Sequence, residues 1–147
     1  MYSNGIQGYR RTNVITADPK RLVLMCYEGA IDSLKIGKQK YIEKDYEGKV
    51  RAITKAQDII NELLCSLDFE KGGSIARNLD SLYNYMLRRI IHADVNKDLS
   101  ALNEVIGMMN ELKSAWEEVF YNKDTEIEPE IKGFTEERRQ ASGYISV

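Results

Sequence analysis

Four successive blocks of this chain carry apolar residues at three- and four-residue spacing, with glycine and proline scarce inside them. That spacing puts side chains on one face of a helix, and the scarcity of turn residues argues against many short strands. The chain is therefore predicted to be all-α.

The boundaries follow from capping chemistry. Asp18-Pro19 reads as a helix start, because the Asp18 carboxylate can accept from an orphan backbone N–H and Pro19 has none to lose at the first helical position. A first helix is expected from there to about Lys44, with a core face of Val23, Cys26, Tyr27, Ala30, Leu34, Gly37 and Tyr41. Asp45 caps a second, with Val50, Ile53, Ala56, Ile60, Leu63, Leu64 and Leu67 as its stripe and Lys71-Gly72-Gly73 as the break after it. Ser74 caps a third, with Ile75, Leu79, Leu82, Tyr83, Met86 and Ile90, ending near Ala93. Asp98 starts a fourth, with Leu102, Val105, Met109, Leu112, Trp116 and Val119.

Helices of this length span roughly 30 to 36 Å, and connections of a few residues force neighbours antiparallel. The expected architecture is an up-down-up-down four-helix bundle over residues 18–122. Before it, residues 1–17 are polar, with Gly5, Gly8, Tyr2 and Tyr9, and read as a flexible arm. After it, residues 123–147 thin out in apolar content, are interrupted by Glu128-Pro129-Glu130, and read as a disordered polar tail with a short helix about 135–141.

Composition removes several function classes. Lys and Arg number 21 against 23 Asp and Glu, so the summed field offers little attraction to nucleic acid or anionic lipid. No basic region leads a long apolar run and no stretch nears the roughly 20 apolar residues of a span, so a cytoplasmic protein without membrane insertion is expected. Cys26 and Cys65 sit in apolar helical stretches and read as reduced core residues. A di-metal bundle site needs Glu-x-x-His pairs, yet His92 is the one histidine and Arg89 stands three before it. His92 reads instead as a helix-end surface residue or cap partner. Asp32 and Asp58 are expected to face solvent, and no paired nucleophile and base is evident, so neither an enzyme nor a cofactor is expected.

Helix one carries more apolar residues than one core stripe uses. A step of about 100° per residue puts Leu22, Met25, Gly29 and Ile36 on its flank and back, with Leu24 and Ile31 on the opposite flank. Off-core apolar residues recur at Ile59, Tyr85, Leu87, Ile91 and Met108. Two readings stand: a wide core arc for a helix with two neighbours, or a groove for a partner's amphipathic helix.

Several separated motifs resemble the flagellin export chaperone family, over about residues 1–122. They are Asp18-Pro19-Lys20-Arg21-Leu22-Val23-Leu24-Met25-Cys26-Tyr27-Glu28-Gly29-Ala30, then Lys55 to Leu63 with Leu67-Asp68, then Asn78-Leu79-Asp80-Ser81-Leu82-Tyr83-Asn84-Tyr85-Met86 followed by Arg88-Arg89, Lys97-Asp98 and Trp116. Asp18 stands where Ser is commoner, Cys26 replaces Leu and Glu28 replaces Asp, and the tail has no counterpart.

The resemblance implies a cytoplasmic bundle that binds the C-terminal segment of unassembled flagellin, prevents premature polymerisation and delivers it to a type III export gate component. It also implies that the arm around Ile6 and Tyr9 covers the client groove when no client is bound. The expected client-binding set is Ile6, Tyr9, Leu22, Met25, Gly29, Ile36, Tyr83 and Tyr85, with a core aromatic as the other reading of Tyr83. Gly143 to Val147 ends in apolar residues and is a further candidate for that groove. The alternative is a helical adaptor or regulatory bundle that homodimerises through its off-core residues, against a chaperone that is a monomer or weak homo-oligomer.

Overall fold

A computed structural model describes residues 18–121. The expected arm, with Ile6 and Tyr9, and the expected tail lie outside these residues. Four helices follow one another: α1 Pro19–Ile42, α2 Tyr46–Cys65, α3 Phe69–Asn96 and α4 Leu99–Tyr121. They form the expected all-α, up-down-up-down bundle, because linkers of two or three residues leave no room for a crossover. Each helix packs on the two beside it, and α1 engages its neighbours more extensively than α3 engages either of its own.

Local hydrogen bonding explains where the helices start. The Asp18 carboxylate accepts from the Arg21 N–H at 2.8 Å, with Pro19 at the first helical position. Asp45 accepts from the Gly48 N–H at 3.0 Å, and Asp98 from the Ser100 N–H at 3.0 Å. The turns end on left-handed lysines, Lys44 at φ 65° and Lys97 at φ 55°. Such a conformation stops a helix, and here the Lys97 N–H closes on the Ala93 carbonyl.

The third helix starts earlier than expected. Asp68, not Ser74, is its cap, accepting from the Glu70 and Lys71 N–H groups at 3.0 Å each. The predicted glycine break survives as a kink within α3, with Gly73 at φ 52°, ψ −128°. One capped turn before the kink satisfies its own backbone donors, so the chain stays helical on both sides of a single glycine.

The core centres on Tyr27, Leu34, Ala56, Ile60, Met86, Val105 and Met109, all essentially sealed from solvent. Leu24 and Ile31 are buried too, which is the wide core arc. Other assignments require correction. Val50, expected inside, is exposed, whereas Ile59, expected outside, is buried. At 100° per residue Val50 lies about 120° from Ala56 while Ile59 lies about 60° away, so a stripe drawn in three-residue steps drifts off the core. Cys26 is buried but Cys65 is exposed, since Cys65 falls about 180° from Ala56. Gly29 is buried rather than on an outer flank, in a row with Ser33 and Gly37 at four-residue spacing that turns inward. Gly37 lets α2 come close: a Cβ there would sit 2.6 Å from Ile53 Cδ1.

Candidate functional site

Residues three and four apart along α2, Tyr46, Val50, Ile53 and Gln57, form one bank of a furrow whose other bank is Ile90, Ile91 and Asp94 on α3. Ile53 and Ile90 make its floor and are buried, while Tyr46, Val50 and Ile91 stand more than half exposed along the rims, with Val95 beyond them. Exposed apolar side chains in such a cluster cost free energy in water and mark contact surfaces, unlike single scattered ones. Lys49 reaches across from α2 to pair with Asp94 on α3. At the end of the bundle where α1 turns into α2 and α3 into α4, the furrow continues into a pocket of about 100 Å³. Ala93, Leu99 and Leu102 line it, and Tyr41 and Tyr46 flank it with ring centroids 6.0 Å apart.

A second feature lies in the core. The Trp116 indole N–H donates to the Tyr27 hydroxyl at 2.9 Å, and the Tyr27 and Tyr83 hydroxyls meet at 2.5 Å. Burial is the main reason the Tyr27 hydroxyl is pushed up to about 12, with the hydrogen bonds from Tyr83 and Trp116 pulling the other way. Tyr83, one of the predicted client contacts, is thus a core residue in this structure.

The other predicted contacts are spread out. Leu22 and Met25 are half-buried on α1, Gly29 is buried, and Ile36 is exposed. Tyr85 lies at the α3–α4 seam, where its hydroxyl donates to Glu104 at 2.5 Å beside the Arg89 guanidinium, whose Nε donates to the same carboxylate at 2.8 Å. That hydrogen bond raises the Tyr85 hydroxyl and lowers the Glu104 carboxyl. None of these residues lines the α2–α3 furrow. Spacing in the sequence marks Ile91 as off-core but puts Val50 in the core stripe and assigns no role to Tyr46, Lys49 or Asp94. The one signal for them was the drift of the Val50–Ile53–Ala56 stripe around its helix.

Two acidic residues behave differently from one another. Asp32 is exposed as expected, but Asp58 is half-buried, and burial raises its carboxyl. His92 sits at the end of α3, its Nε2 3.3 Å from an Asp98 carboxylate oxygen and its Nδ1 3.0 Å from the Asn96 amide. Asp98 itself is held low mainly by the Ser100 hydroxyl. These contacts belong to the α3–α4 turn and its cap. No described helix is long and apolar enough to cross a membrane.

Fold and furrow together define a small antiparallel helical bundle that presents an open apolar channel between two of its helices. The profile of the family described as "Flagellar protein FliS" matches residues 2–123. A flagellar secretion chaperone FliS from Salmonella typhimurium is 37% identical over 125 residues, covering 81% of this chain and 93% of that protein. Its counterpart from Vibrio cholerae is 36% identical over 118 residues, 78% and 87% of the two chains, and that from Bacillus subtilis 30% over 120 residues, 82% and 89%. The chain belongs to the FliS family, a family of flagellar chaperones and not of enzymes.

Proposed function

We propose that this chain is a cytoplasmic chaperone that binds the C-terminal segment of unassembled flagellin, prevents premature polymerisation and delivers the client to the flagellar type III export apparatus. The observation that carries this reading is an apolar furrow with exposed rims, Tyr46, Val50 and Ile91, on a bundle of the FliS family. A client segment unstructured before export can form a short helix in such a channel and wrap the remaining surface. Coupled folding of this kind buries on the order of 1,000 to 3,000 Å² and loses part of the interaction energy to ordering, which keeps the complex releasable. Leu22, Met25, Ile36 and Tyr85 supply further contact around the bundle, and the arm with Ile6 and Tyr9 covers client surface until displaced.

Titration of a flagellin C-terminal segment into the full chain tests this. The expected result is a one-to-one complex, weakened about tenfold or more by Val50→Asp or Ile91→Asp while the folded state is retained. A stable homodimer that ignores the segment and dissociates on the same substitutions would favour the adaptor reading instead.

A further inference from the structure

The pocket and the lateral part of the furrow share Lys49, Ile53, Ile90 and Asp94, so the Lys49–Asp94 ion pair is a bridge laid across one continuous apolar floor. The Lys49 side chain is only 17% exposed against 53% for Asp94, which means that its methylene stem covers the floor while its ammonium reaches the far bank. Beyond the bridge, Lys97 stands exposed at the rim of the pocket, and its ammonium forms no ion pair with a described residue.

We propose, resting on the chaperone reading above, that this furrow reads one helical turn of the client. One aliphatic side chain enters the end pocket, a second, three or four residues away, packs between Val50 and Ile91, and a client carboxylate pairs with Lys97. Side chains at that spacing on a helix lie about 5–6 Å apart, enough to straddle a single ion pair.

Size selects the first anchor. A cavity of about 150 Å³ lined by aliphatic and aromatic residues takes a benzene ring, so the pocket here, about 100 Å³, suits a branched aliphatic chain better than an indole. Length and charge select the occupant. The α2 bank from Tyr46 to Gln57 runs roughly 16 Å, about three turns of a docked helix. Lys49 is already committed to Asp94, which leaves Lys97 as the cation that an acidic client residue would complement. A second copy of the chain fits less well, because the exposed rim side chains fall far short of the roughly 20 to 30 residues a side of a standard interface.

The test uses the full chain and a fluorescent synthetic peptide of the C-terminal segment of the same organism's flagellin, read by anisotropy. Alanine substitution along the peptide is expected to find two aliphatic positions, three or four apart, that each weaken binding about tenfold. Ala93→Met, which fills the pocket, makes one of them silent, and Val50→Asp silences the other. Lys97→Glu, compared with the unsubstituted chain at an equal urea midpoint because Lys97 is also the left-handed stop of its helix, weakens the unmodified peptide several-fold and is rescued by a peptide in which the acidic residue becomes lysine.

A peptide that binds normally and is indifferent to both Ala93→Met and Lys97→Glu overturns this inference and leaves the chaperone reading intact. A peptide that does not bind at all overturns both. A homodimer that Ala93→Met dissociates assigns the pocket to a second copy, and an Ala93→Met effect that vanishes on removal of residues 122–147 assigns it to the chain's own tail. Either outcome overturns the proposal.

Discussion

Tyr27 on α1 and Tyr83 on α3 meet hydroxyl to hydroxyl at 2.5 Å, although their helices stand diagonally across the bundle and do not pack as neighbours. Trp116 adds α4 through its 2.9 Å bond to Tyr27. Three helices are thereby tied by polar contacts inside an apolar core, where hydrogen-bond geometry fixes rotation more sharply than dispersion contacts do.

Of these two bonds, Tyr27→Phe removes both and Tyr83→Phe removes the one between the hydroxyls. The expected losses of stability are about 1–3 kcal/mol for the first and about 1 kcal/mol for the second. Urea unfolding followed by Trp116 emission measures both, and a loss below about 0.5 kcal/mol for Tyr27→Phe would show that its hydroxyl does not tie the helices together.

Alkaline pH provides a separate check on the same residue. The folded hydroxyl, at about 12, holds its proton above the ordinary value of 10.0, so the unfolded chain releases its proton first as pH rises. Stability contributed by the protonated hydroxyl is therefore complete below pH 10 and lost between about 10 and 12, with a slope of up to about 1.4 kcal/mol per pH unit. Tyr27→Phe is expected to remove that part of the slope in unfolding experiments over this range.

Two glycines in helices respond oppositely to one substitution. Around Gly107 a new Cβ meets nothing within 4 Å, so Gly107→Ala is expected to stabilise α4 by about 0.5–1 kcal/mol. At Gly37 the same Cβ would stand 2.6 and 2.9 Å from two Ile53 atoms, and Gly37→Ala is expected to fall about 1–3 kcal/mol below Gly107→Ala in denaturant unfolding. Ile53 lines the pocket, so displacing it also narrows the proposed client site, and Gly37→Ala is expected to weaken flagellin peptide binding from a residue outside the furrow.

Gly73 occupies φ 52°, ψ −128°, a conformation L side chains rarely adopt. Gly73→Ala is expected to cost about 1–3 kcal/mol in thermal or urea unfolding. A neutral result would mean that the kink relaxes into a straight helix.

The furrow was far less legible in the sequence than the fold. Its end pocket depends on Ala93, Leu99 and Leu102 meeting Tyr41 and Tyr46 across all four helices, and none of these contacts is local. Tyr83 is a core-stripe residue by spacing and a client contact by family resemblance, and Gly29 falls on a flank by spacing; packing buries both.

The amino-acid sequence alone determined the number of helices, three of their four caps, Asp18, Asp45 and Asp98, and the centre of each buried stripe, Tyr27, Ala56, Met86 and Val105 among them. These depend on interactions within a few residues of chain: a carboxylate reaching an N–H three positions on, or a period of 3.6 that gathers apolar residues on one side. Only the tertiary structure decided the rotation of each helix and the openness of each seam, and with them the exchange of Val50 for Ile59 and the furrow between α2 and α3. Periodicity states which residues share a face but not which neighbour that face meets, and the closeness of a seam depends on small residues such as Gly37 facing a partner that the local sequence does not name.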